Sequence, residues 1–187
     1  MKLLRAGDHK RMPWKNGGGE TVEIAVSPEG VGLADFDWRV SMATVATDGP
    51  FSVFPGIDRT LSILEGEGMT LFIEGREPER LTQTSDPLPF AADAPTSATL
   101  IDGTITDLNV MTRRGRFTHS VRRVSVDGNG EVGFEGGASL VLCHRGNAEI
   151  DGMALDAGDC LLVTDDSAAR RSISGKAQLF CIAIAAI

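Results

Sequence analysis

The chain has 187 residues, 42% of them hydrophobic, enough to bury a sizeable core as one large β domain or as two small fused ones. A formal charge of −8 and a pI near 4.9 set up a field that repels phosphate backbones and argues against a nucleic-acid partner. With 22 Gly and eight Pro but only two Trp, eight Phe and no Tyr, the composition favours many tight turns joining short strands with aliphatic filling.

The opening residues, Met1 to Asp8, contain no apolar run of signal-peptide length, and the longest apolar run, Leu179 to Ile187, is far too short to span a bilayer. A soluble, cytoplasmic protein without a membrane partner is the expectation. Next comes Met12-Pro-Trp-Lys-Asn-Gly-Gly-Gly-Glu-Thr-Val-Glu-Ile24. Its three glycines are followed by neither Lys-Ser nor Lys-Thr, and no strand-to-helix pattern surrounds them, so they read as a turn rather than a phosphate loop.

Residues Asp37 to Val45 and Arg59 to Leu64 alternate as strands do, and Asp48-Gly-Pro-Phe and Phe54-Pro-Gly-Ile supply turn chemistry between them. Period-two alternation puts Arg39 and Ser41 on one strand face, opposite Trp38, Val40 and Met42. Further along, Asp107, Asn109, Met111 and Arg113 share a face in the same way.

One unit occurs twice. Leu64-Glu-Gly-Glu-Gly-Met-Thr-Leu-Phe-Ile-Glu-Gly75 and Cys143-His-Arg-Gly-Asn-Ala-Glu-Ile-Asp-Gly152 both read as a turn glycine, a short strand and a second turn glycine. The later copy continues through a Gly-Asp turn into the apolar Cys160 to Val163; the earlier one continues through Leu88 to Asp93 and strands at Ala98 to Asp102 and Asp107 to Met111. Between the copies, Arg113, Arg114, Arg116, Arg122 and Arg123 fall in a stretch without an acidic residue, and Gly128 to Gly137 is glycine-rich. This region is the expected seam.

Cys143, Cys160 and Cys181 are odd in number, sit in apolar runs and show no C-x-x-C spacing, so reduced core thiols are expected. Cys143 and His144 are adjacent, and strand neighbours point to opposite faces, which disfavours a thiol paired with its base.

The segment before Gly66 resembles a cupin motif, in which two histidines and a glutamate in a pattern near G-x5-H-x-H-x3-4-E-x6-G face into a barrel and bind a metal. Counting back from Gly66 puts Arg59 in the glutamate slot, while the histidine slots fall on Ser52 or Val53 and on Phe54 or Pro55. His9, His119 and His144 are scattered without metal-ligand spacing, so no metal and no other cofactor is expected. A guanidinium in place of the carboxylate favours an anion, because its planar fork suits a carboxylate.

The match widens with Phe36-Asp-Trp-Arg-Val-Ser-Met-Ala43, Gly49-Pro-Phe-Ser-Val-Phe-Pro-Gly-Ile-Asp-Arg59 and Asp107-Leu-Asn-Val-Met-Thr-Arg-Arg114. Together with the opening glycine segment these closely resemble the HutD/Ves family of bicupins over residues 1 to 115, and only loosely beyond. The resemblance implies an all-β bicupin of two antiparallel jelly-roll barrels; residues 1 to 112 are expected to carry the pocket and 113 to 187, whose inward residues are mostly apolar, to be mainly structural, the halves being free to exchange strands. It also implies a modulator of histidine utilisation that binds a small acid such as N-formylglutamate. Pairing into a homodimer through an exposed barrel edge or apolar face is likewise an implication of the family alone.

Taken residue by residue, Lys15, Asn16, Glu23, Arg39, Ser41, Arg59, Asn109 and Arg113 form the expected ligand set, cations and amides around one small carboxylate, with no catalytic residue assigned. Trp14 would anchor Lys15 and Asn16 over the pocket mouth, and Glu23 would pair a lysine or receive a ligand amide. Ion pairing within the protein is the competing role for Arg39 and Arg59. Two other functions stay open: a metal-independent isomerase or lyase using Glu23 as base, and a protein-interaction module.

Overall fold

The computed structural model describes residues 1–135, 137–164 and 169–187, and these form an all-β protein of sixteen strands with one short 3-10 turn at Ala6–Asp8. No helix is long and apolar enough to cross a membrane among the described residues. The chain divides into two compact units, Lys10–Arg116 and Met1–His9 with Phe117–Ile187.

In the unit Lys10–Arg116 the strands are β2 Lys10–Pro13, β3 Gly19–Ser27, β4 Trp38–Val45, β5 Gly49–Pro50, β6 Ile57–Glu65, β7 Met69–Ile73, β8 Glu79–Leu81, β9 Leu88–Ala91, β10 Thr96–Leu100 and β11 Ile105–Arg113. β4, β6 and β11 hold the alternating runs seen in the sequence. All pairings are antiparallel and build a six-stranded sheet, β2-β3-β4-β11-β6-β9, and a four-stranded one, β5-β10-β7-β8. Leu61, Ile63 and Phe90 of the first sheet share one buried cluster with Met69, Leu71 and Ala98 of the second, so the core lies between the two layers. Each large side chain enclosed there contributes about 1.5–3 kcal/mol of burial.

The other unit is one sheet. Its strands are β1 Lys2–Leu4, β12 Phe117–Phe134, β13 Ala138–Ile150, β14 Met153–Asp156, β15 Cys160–Val163 and β16 Ala169–Ala186, in the order β1-β15-β13-β16-β12 with β14 added to β13. The first residues of the chain therefore pair with β15, Leu3 opposite Leu161. The glycine-rich part of the expected seam is strand: Gly128 to Gly133 lie inside β12, where β16 supplies their ladder partners and Gly128 faces Gly175. Gly136 lies outside the described residues.

The repeated glycine unit is used in two ways. Gly68, with φ +101°, sits in the turn before β7, and an added Cβ would come within 2.0 Å of the Leu81 carbonyl oxygen. Gly146, with φ +77°, lies inside β13 beside a register shift, and its Cβ would come within 2.0 Å of the Lys176 carbonyl oxygen. The shared requirement is close backbone approach, met once by a turn and once by a bulge. Cys143, Cys160 and Cys181 are buried free thiols, and burial pushes Cys143 up to about 11, far from a nucleophile's range.

Candidate functional site

The candidate site is one face of the six-stranded sheet, assembled by register. On β11, Asn109 stands between Ser41 of β4 and Leu61 of β6, Met111 between Arg39 and Arg59, and Asp107 between Ala43 and Ile63. β3 adds Glu23 opposite Ser41. Side chains separated by two residues on a strand share a face, so Glu23, Arg39, Ser41, Arg59, Asp107 and Asn109 converge. All but Glu23 are buried.

The two arginines are used differently. Arg39 Nε donates to Glu23 Oε2 at 2.7 Å and its Nη1 points at Ser41 Oγ at 3.4 Å, so this cation is matched by a carboxylate. Glu23 thus pairs an arginine rather than a lysine. Arg59, only 5% exposed, has longer contacts: Nη2 reaches the Ser52 carbonyl at 3.5 Å and Met111 Sδ at 3.6 Å. Its Nε is enclosed with no hydrogen-bond partner. The guanidinium carbon lies 5.5 Å from the Phe51 ring centre, 5.3 Å from Phe54 and 5.8 Å from Phe90.

Burial lowers the Arg59 pKa to about 10, with the Asp107 charge partly opposing this and Arg39 adding to it. A buried guanidinium with an idle donor is costly unless something anionic meets it. Asp107 is 1% exposed, and burial pushes it up to about 7, although Arg59, the Asn109 amide and the Ala43 N–H all favour its ionised form. Asn109 Nδ2 donates to Asp107 Oδ1 in a short contact, which leaves the Asn109 carbonyl oxygen as an acceptor.

Three members of the expected set lie elsewhere. Lys15 and Asn16 are exposed at the tip of the β2–β3 hairpin, where Asn16 Oδ1 accepts from the Gly18 N–H at 3.0 Å. Trp14 does anchor that hairpin, donating Nε1–H to Thr21 Oγ1 at 2.8 Å and packing on the core. Arg113 ends β11 and turns to the chain before β4, donating to the Phe36 carbonyl from Nη2 at 2.7 Å and Nε at 3.1 Å, and to Ala34 at 3.2 Å. Its donors serve a loop. Conversely, Asp107 and the ring of phenylalanines are part of the arrangement without having been in the expected set; alternation puts Asp107 on the Asn109 face, but its isolation from a matched cation depends on cross-strand register.

The face offers hydrogen-bond donors for one anionic group at Arg59, an acceptor at Asn109, and apolar walls from Phe51, Phe54, Phe90 and Met111. No group of three or more His, Cys, Asp or Glu side chains among the described residues is placed to hold a metal ion. The other unit has an open recess of about 490 Å³ beside Arg122, but Arg170 on its wall is already paired with Glu131 at 3.2 Å. On the buried face, Arg59 keeps an Nε without a partner.

Comparison with known proteins agrees with the sequence resemblance. The HutD family model matches residues 6–181. Protein Ves of Citrobacter koseri is 38% identical over 170 residues, 86% of this chain and 80% of that protein. A Pseudomonas putida protein described as an uncharacterized 21.2 kDa protein in the hutC 3' region is 42% identical over 111 residues, 59% of this chain; the match spans 57% of its length. HutD from Pseudomonas fluorescens SBW25, in a formate condition, superposes with a TM-score of 0.84 at 33% identity over 98% of both chains. A cupin 2 conserved barrel domain protein from Leptotrichia buccalis shares the fold, with a TM-score of 0.59 at 12% identity over 92% of this chain and 95% of that one.

Proposed function

The chain belongs to the HutD family, and from that premise we propose that it is a non-catalytic protein that binds a small carboxylate and modulates histidine utilisation. N-formylglutamate or a related acid is the candidate ligand. The observation that carries the reading is the Arg59 guanidinium, buried with an unpartnered Nε among three phenylalanine rings, while neighbouring Arg39 is already matched to Glu23. The hutC neighbourhood in the name of the Pseudomonas putida relative supports the link to histidine utilisation. In this reading the two compact units are the halves of a bicupin, the one at Lys10–Arg116 holds the ligand, and the protein works in the cytoplasm.

Thermal-shift screening against N-formylglutamate, histidine, urocanate, glutamate and formate tests the proposal, because a ligand that prefers the native state raises apparent stability. Carboxylates should raise the Tm of the wild type and leave Arg59→Ala unmoved. No shift with any acid would overturn it in favour of an interaction module. A metal-independent isomerase or lyase is the second reading, favoured by Asp107, whose pKa of about 7 beside a guanidinium is what a general base needs. Product formation followed by NMR distinguishes it.

A further inference from the structure

We propose that an acid entering this site is taken up together with one proton, which is held on the Asp107 carboxyl. The inference rests on the binding role assigned to Arg59 and adds how that binding is regulated.

Charge balance on the sheet face requires the proton. Four buried or half-buried groups on the sheet face carry or can carry charge: Glu23 on β3, Arg39 on β4, Arg59 on β6 and Asp107 on β11; Lys10 of β2, opposite Glu23, is exposed to solvent at the edge of the sheet. Glu23 and Arg39 cancel one another across 2.7 Å. That leaves one cation, Arg59, and one ionisable carboxyl, Asp107, both buried and close enough for each to influence the other's ionisation. The remaining neighbours of Asp107 add no charge: Ala43 on β4 and Ile63 on β6 stand opposite it, and Met69 and Leu71 of the second sheet belong to the same apolar cluster.

With the site empty, an ionised Asp107 balances Arg59. When a carboxylate takes the idle donors of Arg59, two anions would face one cation inside an apolar enclosure, which low local polarity penalises heavily. Protonation of Asp107 restores the balance. A pKa of about 7 makes that proton available near neutrality. The hydrogen bond to Asn109 survives, because a protonated carboxyl still accepts through its carbonyl oxygen.

The neighbouring ion pair cannot take that role as readily. Glu23 has its cation in direct contact through Arg39 Nε, whereas Asp107 is held by an amide and a backbone N–H and by no guanidinium contact. Protonating Glu23 would take from Arg39 the carboxylate charge it contacts. The proton goes where no pair is broken.

The test is calorimetric titration of the full chain with formate and with N-formylglutamate in two buffers of different ionisation enthalpy at pH 8, alongside carbon-detected NMR titration of the aspartate carboxyls. The wild type should absorb close to one proton per acid bound, and affinity should fall about tenfold per pH unit above pH 7. Asp107→Asn, which keeps the hydrogen-bonding shape and removes the charge, should bind with no proton uptake and no pH dependence between 6 and 9. In the unliganded protein, Arg59→Met should raise the Asp107 titration midpoint, because the cation that balances it is gone. Binding without proton uptake, or an Asp107 midpoint unmoved by Arg59→Met, overturns this inference and leaves the binding role intact. Absence of binding by either acid, in wild type and Asp107→Asn alike, overturns both.

Discussion

Arg39 and Arg59 flank the same residue, Met111, from the strands on either side of β11, yet Arg39 has a carboxylate in contact and Arg59 does not. Two cations one strand apart on each side of a thioether thus have different work to do. Arg39 holds β3 to β4 through Glu23, and Arg59 is left with donors to offer.

This division should be visible in stability. Removing Glu23 strands Arg39 in a buried setting, and Glu23→Ala should lose about 3 kcal/mol. The double variant Glu23→Ala with Arg39→Met should recover much of that loss. Urea denaturation of the single and double variants measures the coupling.

Arg59→Met should behave in the opposite sense. The wild-type side chain is buried with an idle Nε, and its ring contacts are worth only about 1–2 kcal/mol. An apolar replacement of similar length should therefore leave stability within about 1 kcal/mol of wild type or raise it, while abolishing the Tm response to acids. Urea denaturation checks the first part, and thermal denaturation with and without formate checks the second.

Asp107 makes the unliganded protein more stable in mild acid. Its folded pKa, about 7, lies above the unfolded value of about 3.9, so the folded state holds the proton more tightly. Its contribution is complete below about pH 4 and is lost as pH rises through 7, an effect on the order of 4 kcal/mol. Asp107→Asn should flatten that slope. Unfolding free energies between pH 5 and 8, compared for the two proteins, are the measurement.

Asp159 has the reverse pH signature. Burial alone would raise its pKa, but the Ala6 and Asp156 N–H groups and the Arg5 guanidinium, 2.6 Å away, more than offset this and lower it. A lowered folded pKa gives stability that is present above the unfolded value near 3.9 and lost as pH falls through the folded one. Asp159→Ala should lose about 2–3 kcal/mol at pH 7 and speed amide exchange over Lys2 to Leu4. Native-state hydrogen exchange reads the second effect directly.

Local chemistry made part of this legible. Alternation located β4, β6 and β11, and the spacing from Gly66 singled out Arg59. Arg39 also fell on the correct face, but whether it faced ligand or carboxylate depended on Glu23 arriving from β3 with a register shift between Glu23 and Ala25. Arg113 has the right parity and the wrong partner, because a strand's last residue can reach the carbonyls of the loop beside it. Lys15 and Asn16 fall in the turn of the β2–β3 hairpin, where both are exposed. Gly128 to Gly133 became strand because β16 paired with them over its whole length, a contact between segments that short-range propensity does not reveal.

The pairing of β1 with β15 also bears on synthesis. Lys2 to Leu4 leave the ribosome well before their partners, Cys160 to Leu162, which emerge only after the whole unit Lys10–Arg116 has been made. The unit Lys10–Arg116 can fold while Lys2 to Leu4 wait as a tether, and the unit that holds them is completed after it. Loop-closure entropy grows only logarithmically with the intervening length, so the long wait adds little equilibrium cost. Its burden is kinetic: until the final strands arrive, the short apolar edge at Leu3 and Leu4 has no partner, and nascent chains arrested before Cys160 should leave it accessible to proteolysis.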